Sequence, residues 1–399
     1  MSSEVVLRGR IVSATMDVPD AVVAVDGGLV TFAGPASGFP GVLPHDVPAG
    51  RILVPGLVDL HCHGASGSDF SEGDLEGAAR AARYLHSRGT TTLLASLVTG
   101  KPADLVRSLE VLRELTKQGL LAGSHLEGPF LSRQQCGAHD PGLLLEPDPG
   151  LVARLLAAAG PSLASMTLAA ELPGALEVAD QLTAGGVIPS LGHTAAEHTT
   201  AAAFLERAAA GLGTYGNRAG RRRPTVTHLF NAMPSLHHRS PGPVSASLSA
   251  ARAGKAVVEL IADGVHLAPE TVKLVFDLVG ADNIALVTDA MAATGLDDGH
   301  YRLGSLPVTV RQGVARVDGT DAIAGGTATL LDVVRATVAA GVPLRDAVRS
   351  ASAVPASVLG LSAKAGDLRP GMPADVLILD PDLKLAGVLR GGAWVHEVG

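Results

Sequence analysis

The chain has 399 residues, of which 47% are hydrophobic and 18% charged, a composition that suits a globular protein with one large core and a smaller attached layer. A net charge of −8 excludes a general nucleic-acid surface, and 3% aromatic residues argue against a stacking platform for bases or sugars. Two cysteines, Cys62 and Cys136, are too few for a disulfide framework and point to a reducing compartment.

In chain order, the opening MSSEVVLRGRIVSA alternates like a strand and has no long apolar h-region. No later apolar run is long enough to span a bilayer, so a cytoplasmic protein is expected. AVVAVDGGLVTFAG follows, with Gly27-Gly28 placed for a hairpin, and then a bend rich in proline and glycine. The final stretch, GDLRPGMPADVLILDPDLKLAGVLRGGAWV, has the same character. Residues 1–52 and 361–399 are therefore expected to form one small β-domain flanking a central domain at 53–360.

The centre differs. LVPGLVDLHCHG, TTTLLASL, GSHLEGPF, SMTLAAEL, GVIPSLGHT, TVTHLFNA, AVVELIADGVH and NIALVTDAM read as apolar strands. Between them lie helical runs such as EGAARAARYLHSR and PADLVRSLEVLRELTKQ. Continuous apolar strands separated by helices indicate a parallel sheet of the α/β class. About eight such units suit a TIM-like (β/α)8 barrel. An open doubly wound sheet is the alternative, but no glycine-rich dinucleotide fingerprint follows an early strand.

In a parallel barrel, functional groups gather at the C-terminal ends of the strands. The candidate strands end in His61 and His63, then Glu127, His193, His228, Asp263 with His266, and Asp289. His61 and His63 form an H-x-H on a strand, where residues i and i+2 face one side and both imidazoles reach one ion. Cys62 then points away, as a small buried hydrophobe. Glu127, stopped by Gly128-Pro129, joins His193 and His228 as a carboxylate and two imidazoles, the composition of a catalytic zinc-type site. Nitrogen and oxygen ligands without thiolate suit Fe, Mn or Co equally. Asp289 is the candidate general base, because a carboxylate beside an activated water accepts its proton. The alternative is a carboxylate that orients a histidine.

The motifs PGLVDLHCHG, HLEGPF, LGHT, THLFNAM, ADGVH and LVTDAM, in this order, resemble the N-acetylglucosamine-6-phosphate deacetylases of the amidohydrolase superfamily. AGDLRPGMPADVLILD is similar to that superfamily's C-terminal β-segment. The resemblance implies a metal-dependent hydrolase barrel with a small β-sandwich built from both termini. It implies Glu127, His193 and His228 as main metal ligands, His61 and His63 as a second metal position, and Asp289 as catalytic acid/base. One or two ions per subunit are expected, with zinc first.

It further implies substrate contacts from Asn231 and, through its backbone, Ala232. Arg239 and His266 would hold the phosphate or sugar. Ala138 and His139 would lie near the acetyl group, and the turn Ile323-Ala324-Gly325 would touch substrate by its main chain. The implied assembly is a homodimer in which Arg239 serves the neighbouring subunit. The implied reaction is hydrolysis of N-acetyl-D-glucosamine 6-phosphate to D-glucosamine 6-phosphate and acetate, in amino-sugar catabolism or cell-wall recycling. His237 and His238 are expected to be loop residues that present Arg239.

Two features stand apart. GLGTYGNRAGRRRP is longer and more basic than the resemblance predicts, and its Arg221-Arg222-Arg223 is expected to be a solvated loop, with attraction of an anionic substrate the lesser reading. Cys136 lies beside the predicted pocket, either as a tolerated loop residue or as a thiol close to the metal. Three other functions compete. Deacetylation of the galacto epimer uses the same chemistry. Cyclic-amide hydrolases and base deaminases often carry a bridging lysine in the fourth strand, and SMTLAAEL has none. A non-enzymatic scaffold predicts eroded ligands, and every ligand is present.

Overall fold

The computed structural model describes residues 5–44, 48–215 and 222–397. Its centre is an eight-stranded parallel sheet: β1 (Leu57–Asp59), β2 (Thr90–Leu97), β3 (Gly123–Glu127), β4 (Leu163–Leu168), β5 (Ile188–Leu191), β6 (Thr225–Val226), β7 (Val257–Leu260) and β8 (Ile284–Leu286). The strands are paired in chain order, and helices cover the outside. Local sequence accounts for the helices. The helix Leu75–Ser87 starts where Asp74 accepts hydrogen bonds from the Glu76 and Gly77 amides (3.1 and 3.0 Å), then buries Ala78, Ala81, Ala82 and Leu85 on one face. The helix Leu330–Ala339 begins with a capping box between Thr329 and Asp332.

No continuous ladder joins β1 to β8. The seam is held by one buried carboxylate and a few backbone hydrogen bonds. Asp59 accepts Thr288 Oγ1 at 2.6 Å, the Thr288 amide at 3.3 Å and the His61 amide at 3.2 Å. Beyond it, the Asp289 amide donates to His61 O (2.9 Å) and the His63 amide to Ala290 O (2.7 Å). Burial pushes the Asp59 carboxyl up to about 6, against its hydrogen bonds. The barrel floor is apolar, with Leu94, Ile188, Val257 and Ala285 packed on Val354 and Val358.

Both chain ends build one seven-stranded sheet, in the spatial order Ala393–Glu397, Leu385–Arg390, Val376–Leu379, Ile52–Pro55, Val5–Val12, Asp17–Asp26, Leu29–Pro35. It encloses its own apolar cluster, including Ile11, Val23, Leu53, Val376 and Leu389. LVPGLVDL, read from sequence as one barrel strand, is two strands. Ile52–Pro55 belongs to the small sheet and Leu57–Asp59 to the barrel, with Gly56 between them. A Cβ on Gly56 would lie 2.1 Å from Thr91 Oγ1, so only glycine passes between the two layers there.

A further antiparallel sheet of three strands, Gly299–Leu303, Leu306–Arg311 and Val314–Val317, was not expected. It has its own cluster, with Leu303, Val308 and Val310 against Met291 and Ala324.

The basic loop also departs from expectation. Arg221 lies outside the described residues, but Arg222 and Arg223 are half-buried and hydrogen-bonded to the barrel. Arg222 Nη1 donates to Gly186 O (2.7 Å), and Arg223 donates to Asn283 Oδ1 (2.6 Å) and Asp282 O (2.8 Å). These partners precede β5 and β8, so both arginines clamp the N-terminal face of the barrel, opposite the strand ends that carry the histidines. Carbonyl oxygens there have no further strand to pair with, and a guanidinium satisfies several at once.

Candidate active site

The turns after β5, β6 and β8 bring His193, His228 and Asp289 inward through left-handed backbone conformations, with φ of 46°, 29° and 49°. Such angles are costly for residues with side chains and persist where packing dictates them. At Gly192 a Cβ would lie 2.6 Å from Thr227 Cβ and 2.7 Å from Thr167 Cγ2, so the chain carrying His193 passes hard against its neighbours.

Glu127 lies at the centre of the cluster. Its Oε1 is 3.0 Å from His193 Nε2 and 2.9 Å from His228 Nε2, and these two nitrogens are 3.0 Å apart. Its Oε2 lies 3.1 Å from His63 Nε2, 3.6 Å from His61 Nε2 and 3.3 Å from His139 Nε2. Asp289 Oδ1 completes the ring, 3.2 Å from His63 and 3.4 Å from His61.

The opposite ring nitrogens fix the chemistry. His193 Nδ1 faces Gln135 O (2.9 Å) and His63 Nδ1 faces Ser96 O (3.2 Å). A carbonyl only accepts, so each Nδ1 carries its proton and each Nε2 presents a lone pair. Lone pairs and carboxylate oxygens that converge at about 3 Å require a positive charge between them. Tetrahedral ligation at ~2.0–2.1 Å places neighbouring donors roughly 3.3 Å apart, close to the spacings here. The residues therefore fit a divalent cation, with His61, His63, Glu127 and Asp289 as one possible group and Glu127, His139 and His193 as an overlapping one. The field agrees. The same oxygens draw any positive charge, so a proton competes with a cation for Nε2 of His63: burial opposes charge there, yet hydrogen bonds to Asp289 and Glu127 push its pKa up to about 9. Burial likewise opposes ionisation of Asp289, but His61 and His63 outweigh it and hold the carboxyl well below the usual carboxylate range.

A cavity of about 300 Å³ opens above the cluster. His63, Glu127, His139, His193, His228 and Asp289 form its floor; His61, fully buried, lies beneath. Ala138, Asn231, Ala232, His266, Ile323 and Gly325 form the walls. His266 Nδ1 is 2.8 Å from Asp263 Oδ2. Two expected residues stand apart. Ala324 packs in the apolar cluster of the three-stranded sheet, and its amide donates to Ala315 O (3.0 Å), which leaves no main-chain donor there for a ligand. Arg239 is exposed outside the cavity lining, its Nη1 2.8 Å from His238 Nε2. Cys62 is fully buried, and Cys136 is half-buried and belongs to neither ligand group.

The sequence reading missed the layer under the site. His125, two residues before Glu127 and so on the same face, bonds Ser96 Oγ (2.9 Å) and Thr167 Oγ1 (2.8 Å) and packs edge-on against His61 at 4.6 Å between centroids. Burial, aided by His61, holds His125 well below the usual histidine range. Glu259, on β7, lies 3.3 Å from His61 Nδ1. The i+2 spacing in HLE and a lone acid inside AVVELIA were the available signals. Leu303, Asp321 and Ala322, contributed through the unexpected sheet, also line the cavity.

A parallel barrel with imidazoles and carboxylates gathered at its strand ends defines a class of metal-dependent hydrolases, and residues 52–395 match the amidohydrolase family model. Human N-acetylglucosamine-6-phosphate deacetylase is 35% identical over 87% of this chain and 84% of its own. The N-acetylgalactosamine-6-phosphate deacetylase of Escherichia coli O157:H7 is 33% identical over 84% and 85%. A mutant N-acetyl-D-glucosamine-6-phosphate deacetylase of Mycobacterium smegmatis, solved in complex with N-acetyl-D-glucosamine-6-phosphate, superposes with a TM-score of 0.90 at 39% identity, over 99% of this chain and 100% of that one. The chain belongs to the amidohydrolase family and, within it, to the N-acetylglucosamine-6-phosphate deacetylases.

Proposed function

We infer that the protein hydrolyses the acetamide of N-acetyl-D-glucosamine 6-phosphate to give D-glucosamine 6-phosphate and acetate. The observation that carries this reading is the convergence of the Nε2 atoms and Glu127 beside Asp289, on the floor of a cavity sized for one small molecule. Glu127, His193 and His228 would hold a divalent cation, which polarises the carbonyl and lowers the pKa of a water from ~15.7 towards ~7. Zinc is the first choice; a donor set of nitrogen and oxygen alone also suits Fe, Mn or Co. His61 and His63 would hold a second ion.

Asp289, ionised at neutral pH, accepts the proton of the water that adds to the carbonyl carbon. It then delivers that proton to the nitrogen as the C–N bond breaks, so that an amine departs rather than an amide anion. His139 hydrogen-bonds at the acetyl end. Asn231 and the backbones of Ala232, Ile323 and Gly325 orient the sugar. His266, paired with Asp263, meets the phosphate from within the chain. Arg239, exposed and outside its own cavity, meets the phosphate of a second subunit in a homodimer; a guanidinium fork suits that group. Binding at the phosphate fixes the acetamide over the cluster, and such orientation lowers a barrier by several kcal/mol, with upper estimates of ~7–11.

A cytoplasmic setting is supported by two cysteines with no disulfide between them. Among the described residues no helix is long and apolar enough to cross a membrane. The galacto epimer is the second reading, favoured by the Escherichia coli relative. Acetate release from phosphorylated and free N-acetyl amino sugars tests both. The glucosamine phosphate should lead the panel; a faster galactosamine phosphate installs the second reading, and no release from any of them sinks both.

A further inference from the structure

Glu259 is the one charged residue of β7 and is 4% exposed. A carboxylate is costly to take out of water unless it is hydrogen-bonded. Its partners here are His61 Nδ1 at 3.3 Å and the His228 amide at 3.4 Å, and among the described residues no lysine or arginine pairs with it. His61 has no alternative on that side. Its ring is clamped edge-on by His125 at 4.6 Å, and its Nε2 faces His63 Nε2 (3.0 Å), Asp289 Oδ1 (3.4 Å) and Glu127 Oε2 (3.6 Å).

His63 and His193 have their Nδ1 atoms bound to backbone carbonyls, which no side-chain substitution removes. His61 is different: the group that fixes its tautomer is a side chain from six strands away. We propose that Glu259 is a positioning residue that holds the proton of His61 on Nδ1 and so turns the Nε2 lone pair of His61 towards the second cation position. This rests on the reading that His61 and His63 hold an ion. Occupancy of that position, separately from the Glu127–His193–His228 position, then depends on Glu259. Removal of such an outer partner typically weakens metal affinity 10–100-fold.

The test is zinc stoichiometry and stepwise affinity, by elemental analysis and competitive titration, on wild type, Glu259→Leu, Glu259→Gln and the pair His61→Ala/His63→Ala. Wild type should hold two ions and the histidine pair variant one. Glu259→Leu should lose the second ion by about 100-fold in affinity, a larger loss than at the first, where His228 gives up only an amide hydrogen bond. Glu259→Gln keeps an acceptor and should lose about 10-fold. Nitrogen-15 shifts of His61 should report Nδ1–H in wild type and a mixed tautomer in the leucine variant. Two ions at wild-type affinity in Glu259→Leu overturn the proposal; if that variant does not fold, wild-type affinity in Glu259→Gln does so. A wild type with one ion that the histidine pair variant still binds overturns the two-ion reading itself, and the proposal falls with it.

Discussion

Asp289 has two imidazoles within 3.4 Å of one carboxylate oxygen, and these keep it ionised in a buried place. Asn at this position keeps the shape and one acceptor but neither the charge nor the proton affinity. Asp289→Asn should retain its metal and lose turnover by about 10²–10⁴-fold, the contribution of a general base. Metal analysis beside kcat checks this, and near-normal kcat removes Asp289 from its assigned role. His266 gives the pH dependence. Burial pulls its pKa down, but Asp263 outweighs burial and raises it. The imidazolium is therefore kept below that raised pKa and lost as pH climbs through it. KM for the phosphorylated sugar should rise over that interval, while KM for the free sugar changes little. Asp263→Asn should move the rise towards the ordinary histidine value near ~6.5. An unmoved profile would mean His266 does not carry the charge that meets phosphate.

At the scale of elements, the seam between β1 and β8 is where the barrel is least redundant. Asp59 takes three hydrogen bonds there, and its loss leaves the Thr288 and His61 amides without their acceptor and Thr288 Oγ1 with only His61 O at 3.3 Å. Asp59→Ala should cost about 2–4 kcal/mol, at ~1–3 kcal/mol for each orphaned group with partial relief from water. It should also loosen His61 and Asp289, whose backbones are joined across the seam. A urea midpoint and metal content measured together test this; unchanged values of both would show that the barrel closes by other means.

The barrel itself was legible because its strands are apolar runs and their ends are polar. The same contrast exposed His61, His63, Glu127, His193, His228 and Asp289. What stayed hidden has no such contrast. Glu259 and His125 are buried inside strands, where pattern reading expects apolar side chains. The Gly56 break sits inside an unbroken apolar run. The strands from Gly299 to Val317 follow the last barrel strand, where a helix was due. Within Ile323-Ala324-Gly325 the side chain of Ala324 packs into the apolar cluster while its two neighbours line the cavity, a split that a short motif does not reveal.

For the whole molecule, the arginine-rich loop sorts structure from function. Arg222 and Arg223 bind the barrel's N-terminal face, remote from the cavity at the strand ends. The double change to alanine should lower Tm by a few degrees, while kcat/KM and its salt dependence stay at wild-type values. A steeper loss of kcat/KM at low salt than at high salt would restore a role in drawing in anions.

The strand Ile52–Pro55 has one further consequence, for biosynthesis. It is bonded on one side to Arg10 and Ile11 and on the other to Val376–Leu379. On the ribosome the first partner is ready at once, and the second emerges after nearly the whole chain. At ~5–20 residues per second that open edge waits roughly 15–60 s. Throughout this interval it is a template for pairing with another nascent chain. The first barrel strand, tied to it through Gly56 alone, meets the last strand only when that strand arrives, so the histidine and carboxylate cluster is completed late in synthesis.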